Sequence, residues 1–116
     1  MQSAFTKSDI LLVNFGQPPT EIKGHEQGYE RPCIVIKSLN HLQLAIVVPL
    51  TTKEPAYLGY STVKIAKGTS VLHQDSYVLC HQIKTISFQR ITKKLGSIER
   101  KTQLKIEAVL IDLLEL

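Results

Sequence analysis

The stretch Glu26-Gln27-Gly28-Tyr29-Glu30-Arg31-Pro32 leads directly into the apolar run Cys33-Ile34-Val35-Ile36. Arginine stays charged at every working pH, and its planar fork of donors matches phosphate oxygens. A fixed cation at the mouth of a strand therefore points to phosphodiester recognition or chemistry. Pro32 stiffens the chain beside it. Taken alone, Arg-Pro-apolar also fits an exposed arginine ahead of an edge strand, so the accompanying residues decide. The histidines His25, His41, His73 and His81 and the cysteines Cys33 and Cys80 show no CxxC, HxxxH or HExxH spacing. The expectation is chemistry without a metal ligand set and without a cofactor.

The elements that position Arg31 must come from a chain of 116 residues, the length of one domain, residues 1–116. With 43% apolar and 21% charged residues it has the composition of a soluble globular protein. No apolar run approaches the roughly 18 residues needed to cross a bilayer. Met1 to Lys7 lacks the charged and apolar regions of a signal peptide, so a cytoplasmic location is expected. Cys33 and Cys80 lie in apolar, strand-like runs and read as small buried thiols, unless neighbouring strands bring them together. The net charge is +4, and Lys84, Arg90, Lys93, Lys94, Arg100 and Lys101 crowd the second half. That cluster suits nucleic acid or a solvated face.

Asp9 to Phe15 is a short apolar run closed by Gly16 and Pro18-Pro19, and it reads as a first strand. Gly16 to Glu30 has no period and forms a long loop of the kind tied to function. A second strand covers about Arg31 to Lys37, and Ser38 to His41 makes a turn. Leu44 to Val48 forms a third strand that Pro49 is expected to end. Ser61 to Ala66 alternates as a half-buried strand should, and Lys67-Gly68 turns the chain. Ser76 to Ile86 is the longest strand-like segment, and Arg90 to Leu95 is a last short one. Five or six such strands predict a small barrel or sandwich. From Ser97, taken as N-cap with Glu99 in the first turn, apolar residues at Ile106, Val109, Leu110, Leu113 and Leu114 take a helical period. Leu104, Ala108 and Ile111 widen that stripe; they bury on the barrel or contact a second subunit.

Taken in order and spacing, four stretches resemble the MazF/PemK family of toxin endoribonucleases. They are Ile10 to Gly16, Glu26-Gln27-Gly28-x-x-Arg31-Pro32, Val48-Pro49-Leu50-Thr51-Thr52, and Val78 to Ile86. The resemblance covers nearly the whole chain, including Lys94-Leu95-Gly96 before the C-terminal helix. It implies a mainly β fold with a C-terminal α-helix, an SH3-like small barrel of the kind shared by CcdB and PemK toxins. It also implies a homodimer acting as the toxin of a type II toxin-antitoxin module. The activity implied is metal-independent, sequence-specific cleavage of single-stranded mRNA to a 2',3'-cyclic phosphate and a 5'-hydroxyl, which stops translation and growth. The implied partners are the RNA substrate and a cognate antitoxin, with operator DNA reached only through the antitoxin, and no membrane.

In the family pattern the catalytic pair falls on Arg31 and Thr51, with Glu26 the leading base candidate or, alternatively, a carboxylate that only orients the arginine. His25 is a lesser candidate. The substrate-binding residues expected are Gln27, which bonds either RNA or its own loop, with Thr52, Lys84, Thr85, Gln82 and Tyr29. Many relatives carry an acid, an arginine and an aspartate where this chain has His81, Lys84 and Ser87. Lysine keeps the charge but loses the bidentate fork, so Lys84 is expected to hold a phosphate as a point charge. Phe15, Tyr29, Tyr57, Tyr60, Tyr77 and Phe88 are the aromatic residues able to stack on unpaired bases, several of them equally suited to a core. Competing readings are a CcdB-like gyrase poison and a catalytically silent SH3-like module that binds RNA or protein. The first departs from this chain, which has no Trp and ends Leu113-Leu114-Glu115-Leu116.

Overall fold

The computed structural model describes residues 4–16, 30–55 and 60–116. In chain order the elements are β1 (Asp9–Asn14), β2 (Glu30–Leu39), β3 (Leu44–Thr51), β4 (Thr62–Ile65), β5 (Ser76–Leu79), β6 (Lys84–Ser87), β7 (Ile91–Ser97) and α1 (Arg100–Leu114). All pairings are antiparallel, in the order β4-β5-β3-β2-β1-β7, and β6 adds to β3.

β1 and β2 read as unbroken apolar runs because both of their faces are covered. Leu11, Val13, Cys33, Val35, Ala45, Val47, Ile86 and Phe88 make one core, inside the curl of β7-β1-β2-β3-β6. Their neighbours Ile10, Ile34, Val48 and Leu50 point the other way. There they meet Val63, Ile65 and Val78 of the second sheet portion and Ile106 and Leu110 of α1. Each fully buried aliphatic side chain contributes about 1.5–3 kcal/mol over its exposed state. The β2–β3 register slips between Val35 and Lys37, leaving Ile36 as an extra residue on β2. Such a bulge bends the strand and lets a short sheet curl into the small barrel that was expected.

The chain differs most from its sequence reading in three places, while β2 also runs on to Leu39 through residues read as a turn and β7 runs past Leu95 to Ser97. The segment Ser76 to Ile86 is not one strand but β5 and β6, separated by the 3-10 turn Cys80–Gln82, which gives seven strands among the described residues. Val78 pairs with Leu50 and Lys84 with Val47, so Leu79 to Ile83 lie opposite only Val48 and Pro49. The excess is taken up by the turn, in which the Ile83 N–H donates to the Cys80 carbonyl at 3.3 Å. Pro49 does not end β3, which runs on to Thr51. A residue without an N–H is tolerated there because the ladder on that side is already interrupted. The helix begins at Arg100, not at Ser97, which pairs with Asp9 as the last residue of β7. Ile98 is buried and its N–H donates to the Ser8 carbonyl at 2.9 Å, which holds the chain extended past Ser97.

On α1, Ile106 and Leu110 are buried, whereas Leu104 is 48% exposed, Ile111 53% and Leu114 47%. Ala108 is exposed as well. The wide stripe is thus not consumed by the barrel. No helix among the described residues is long and apolar enough to cross a membrane.

Cys33 sits in the interior core and Cys80 in the core under α1, so the sheet separates them and both are free thiols. Burial pushes the Cys33 thiol up to about 12, against the opposing pull of the Lys84 and Arg31 charges, and burial pushes Cys80 to about 11. The unfolded chain loses these protons near 9.0, the ordinary thiol value, so above that pH the folded state binds more protons. Stability should therefore fall as pH rises from about 9, to about 12 for Cys33 and to about 11 for Cys80, by up to about 1.4 kcal/mol per pH unit for each thiol. Urea unfolding at several alkaline pH values should show a shallower decline for Cys33→Ala than for the wild type. Parallel declines would refute the assignment.

Candidate active site at the barrel mouth

Strand alternation aims a specific set of side chains at one end of the interior core. On β2, Arg31 follows the same two-residue period as Cys33 and Val35. On β3, Thr51 continues Ala45 and Val47. Phe15, one residue past β1, continues Leu11 and Val13 and packs against that core. Lys84 opposes Val47 across β6–β3 and shares its face. Cys33 pairs with Pro49, and the same register continued by one pleat sets Arg31 across from Thr51. Arg31 and Thr51 line one open depression of about 250 Å³ together with Glu30, Pro32, Leu50, Thr52 and Ser76.

Among the described residues the polar contacts leave this mouth positive. The Lys84 ammonium lies 4.6 Å from the centroid of the Phe15 ring, a cation–π contact that holds the long side chain over the mouth. Arg90 Nη1 donates to the Asn14 carbonyl at 3.3 Å. The ion pairs among the described residues are Lys7–Glu107, Lys64–Asp75 and Lys94–Asp9, and none involves Arg31, Lys84 or Arg90. The Glu30 carboxylate is turned to β7, where it accepts from the Thr92 hydroxyl at 2.9 Å. Thr51 Oγ1 accepts the Lys53 N–H at 3.2 Å, so its own hydroxyl proton remains available to an acceptor in the depression. Beneath the mouth the Cys33 thiol donates to the Arg31 carbonyl at 3.8 Å. Arg31 and Thr51, lining one depression, offer donors of the kind that a tetrahedral oxyanion accepts.

A family model described as the PemK-like, MazF-like toxin of type II toxin-antitoxin systems matches residues 6–114. The chain belongs to this family. No curated protein sequence matches it. Its fold superposes on a mycobacterial endoribonuclease solved with its cognate antitoxin, with TM-score 0.74, 18% identity and 97% of each chain covered. It superposes likewise on MazF from Deinococcus radiodurans, with TM-score 0.75, 19% identity, and 99% of this chain and 100% of that one covered. A MazE–MazF complex from the same organism gives TM-score 0.74 and 15% identity over 99% of both chains.

Within this PemK-like, MazF-like fold, the sequence-selected residues fall into three groups. Arg31, Thr51 and Thr52 come together in the depression, and Lys84 stands at the same mouth. Thr85 pairs with Ile46 and, by alternation, faces away from Lys84. Gln82 is exposed on the turn before β6 and does not line the depression. Glu26, Gln27 and Tyr29, with His25 and Tyr57, lie outside the described residues. His81 sits on the Cys80–Gln82 turn, with its Nδ1 3.0 Å from Ser61 Oγ. The sequence reading passed over Ser76 and did not single out Arg90 from the basic cluster. Nothing local marks either one, since a cross-strand neighbour brings each to the mouth.

Proposed function

We propose that this chain is a metal-independent endoribonuclease that cuts single-stranded mRNA at short sequence motifs, the toxin half of its module. The observation that carries this reading is that Arg31, unpaired by any described carboxylate, and Thr51 line one depression. The mycobacterial structural neighbour is itself an endoribonuclease solved with its antitoxin.

RNA carries its own nucleophile. The 2'-oxygen bonds to phosphorus as its proton passes to a base, the bond from phosphorus to the 5'-oxygen breaks, and that oxygen takes up a proton. The products are a 2',3'-cyclic phosphate and a 5'-hydroxyl. Arg31 and Thr51 supply donors to the phosphorane oxygens, where negative charge develops. Glu26 is the proposed base. Gln27, Thr52, Lys84, Thr85, Gln82 and Tyr29 are the proposed RNA contacts, of which Thr52 and Lys84 stand at the mouth. The proposal extends to a single domain over residues 1–116 in the cytoplasm and to an antitoxin whose acidic, apolar segment folds over the basic mouth. It also includes a homodimer joined through the Leu104–Ala108–Ile111 stripe; sedimentation as a monomer at all concentrations would contradict that part.

The test is cleavage of a long single-stranded RNA in excess EDTA, with end-group analysis. Cutting that survives chelation and leaves cyclic phosphate ends is the expected result. Intact RNA with gyrase inhibition instead, or cutting that requires added metal, overturns the reading.

A further inference from the structure

Among the described residues the mouth holds more positive charge than one scissile phosphate needs. Three cations, Arg31, Lys84 and Arg90, stand at it with no carboxylate partner among the described residues, and the nearest acid in the sheet, Glu30, is engaged by Thr92. Like charges held together without a counterion disfavour one another unless an anion binds between them. Two of the three are braced on the end of β1. Lys84 lies over Phe15, and Arg90 holds the Asn14 carbonyl. Gly16, at φ +87°, leaves the guanidinium room: a Cβ there would stand 3.3 Å from Arg90 Nη1. That single long bond to Asn14 uses one of the five arginine donors and leaves the rest for a ligand.

Val13 pairs with Arg31 on one side and with Ile91, next to Arg90, on the other. The two backbones are thus about two strand spacings apart, roughly 10 Å. That separation suits two phosphates rather than one shared group.

We propose that Lys84 and Arg90, anchored on Asn14-Phe15-Gly16, form a second phosphate subsite beside the Arg31–Thr51 depression, so that the chain grips RNA through at least two phosphates. The subsite deepens the endoribonuclease reading and rests on it for the identity of the ligand.

The test uses an uncleavable 2'-O-methyl RNA heptamer of mixed sequence, with affinity measured between about 50 and 200 mM salt. Each phosphate contact on a single strand adds about 0.7 to the slope of log affinity against log salt. Arg90→Ala should lower that slope by about this amount, and Arg90→Lys should restore it. The advantage of the heptamer over a dinucleotide with a single phosphate should also shrink in Arg90→Ala. A slope equal to the wild type's in Arg90→Ala overturns the subsite, as does a length advantage that is unchanged. A purely structural role through Asn14 would lower thermal stability and leave the slope alone. Because the heptamer cannot be cut, the slope decides the subsite whether or not the wild type cleaves RNA; absence of cleavage counts only against the activity.

Discussion

Arg31→Ala is expected to slow RNA cleavage by about 10²–10³-fold, the loss typical when one preorganised oxyanion donor is removed, or about 2.7–4 kcal/mol. The loss should appear in single-turnover kcat, because the charge Arg31 meets grows only as the phosphorane forms. Arg31→Lys should recover part of it, since the ammonium keeps the charge without the planar fork. Arg31 is exposed and forms no ion pair among the described residues, so folding stability should change by no more than about 0.5 kcal/mol. Circular dichroism melts would verify this beside the kinetics. Wild-type rates in Arg31→Ala would remove Arg31 from the chemistry, and a large loss of fold would reassign it to structure.

Thr51→Val keeps the β-branched shape at the end of β3 and deletes the hydroxyl, and a loss of similar size, about 10²-fold or more, is expected. Thr51→Ser should restore most of the rate. Valine also removes the acceptor for the Lys53 N–H, a bond on an exposed turn that water can replace. The kinetic effect is therefore separable from the small structural one. If Arg31 and Thr51 address the same phosphate, the double variant should be less impaired than the product of the single losses. Strict multiplication would place them on different groups, whereas a Thr51→Val enzyme at full speed would end the proposed role of the hydroxyl.

Much of the fold was legible in the chain because burial writes its period locally. The runs Ile10 to Val13 and Cys33 to Ile36 are too short for a typical helix and rich in strand formers, and the apolar residues from Ile106 to Leu114 take a helical period. The boundaries that differed are those set by distant contacts. The helix start was displaced by Ile98, which the Ser8 carbonyl keeps extended. Pro49 looked like a stop and lies within a strand, because what makes its missing donor harmless is the turn of a segment some thirty residues away.

The sequence by itself determined that the chain is a small β protein closed by a helix, that Arg31 and Thr51 stand in a toxin-family pattern, and that its thiols sit in apolar runs. Only the tertiary structure decided which of the basic and polar residues meet. Residues 31, 51 and 84 share one mouth because antiparallel register and two-residue alternation carry them to the same end of the interior core, Arg90 joins them from the 3-10 turn ahead of β7 through its bond to Asn14, and the phase of β6 depends on the turn at Cys80–Gln82. A one-residue slip in that turn would bring Thr85 to the mouth instead of Lys84.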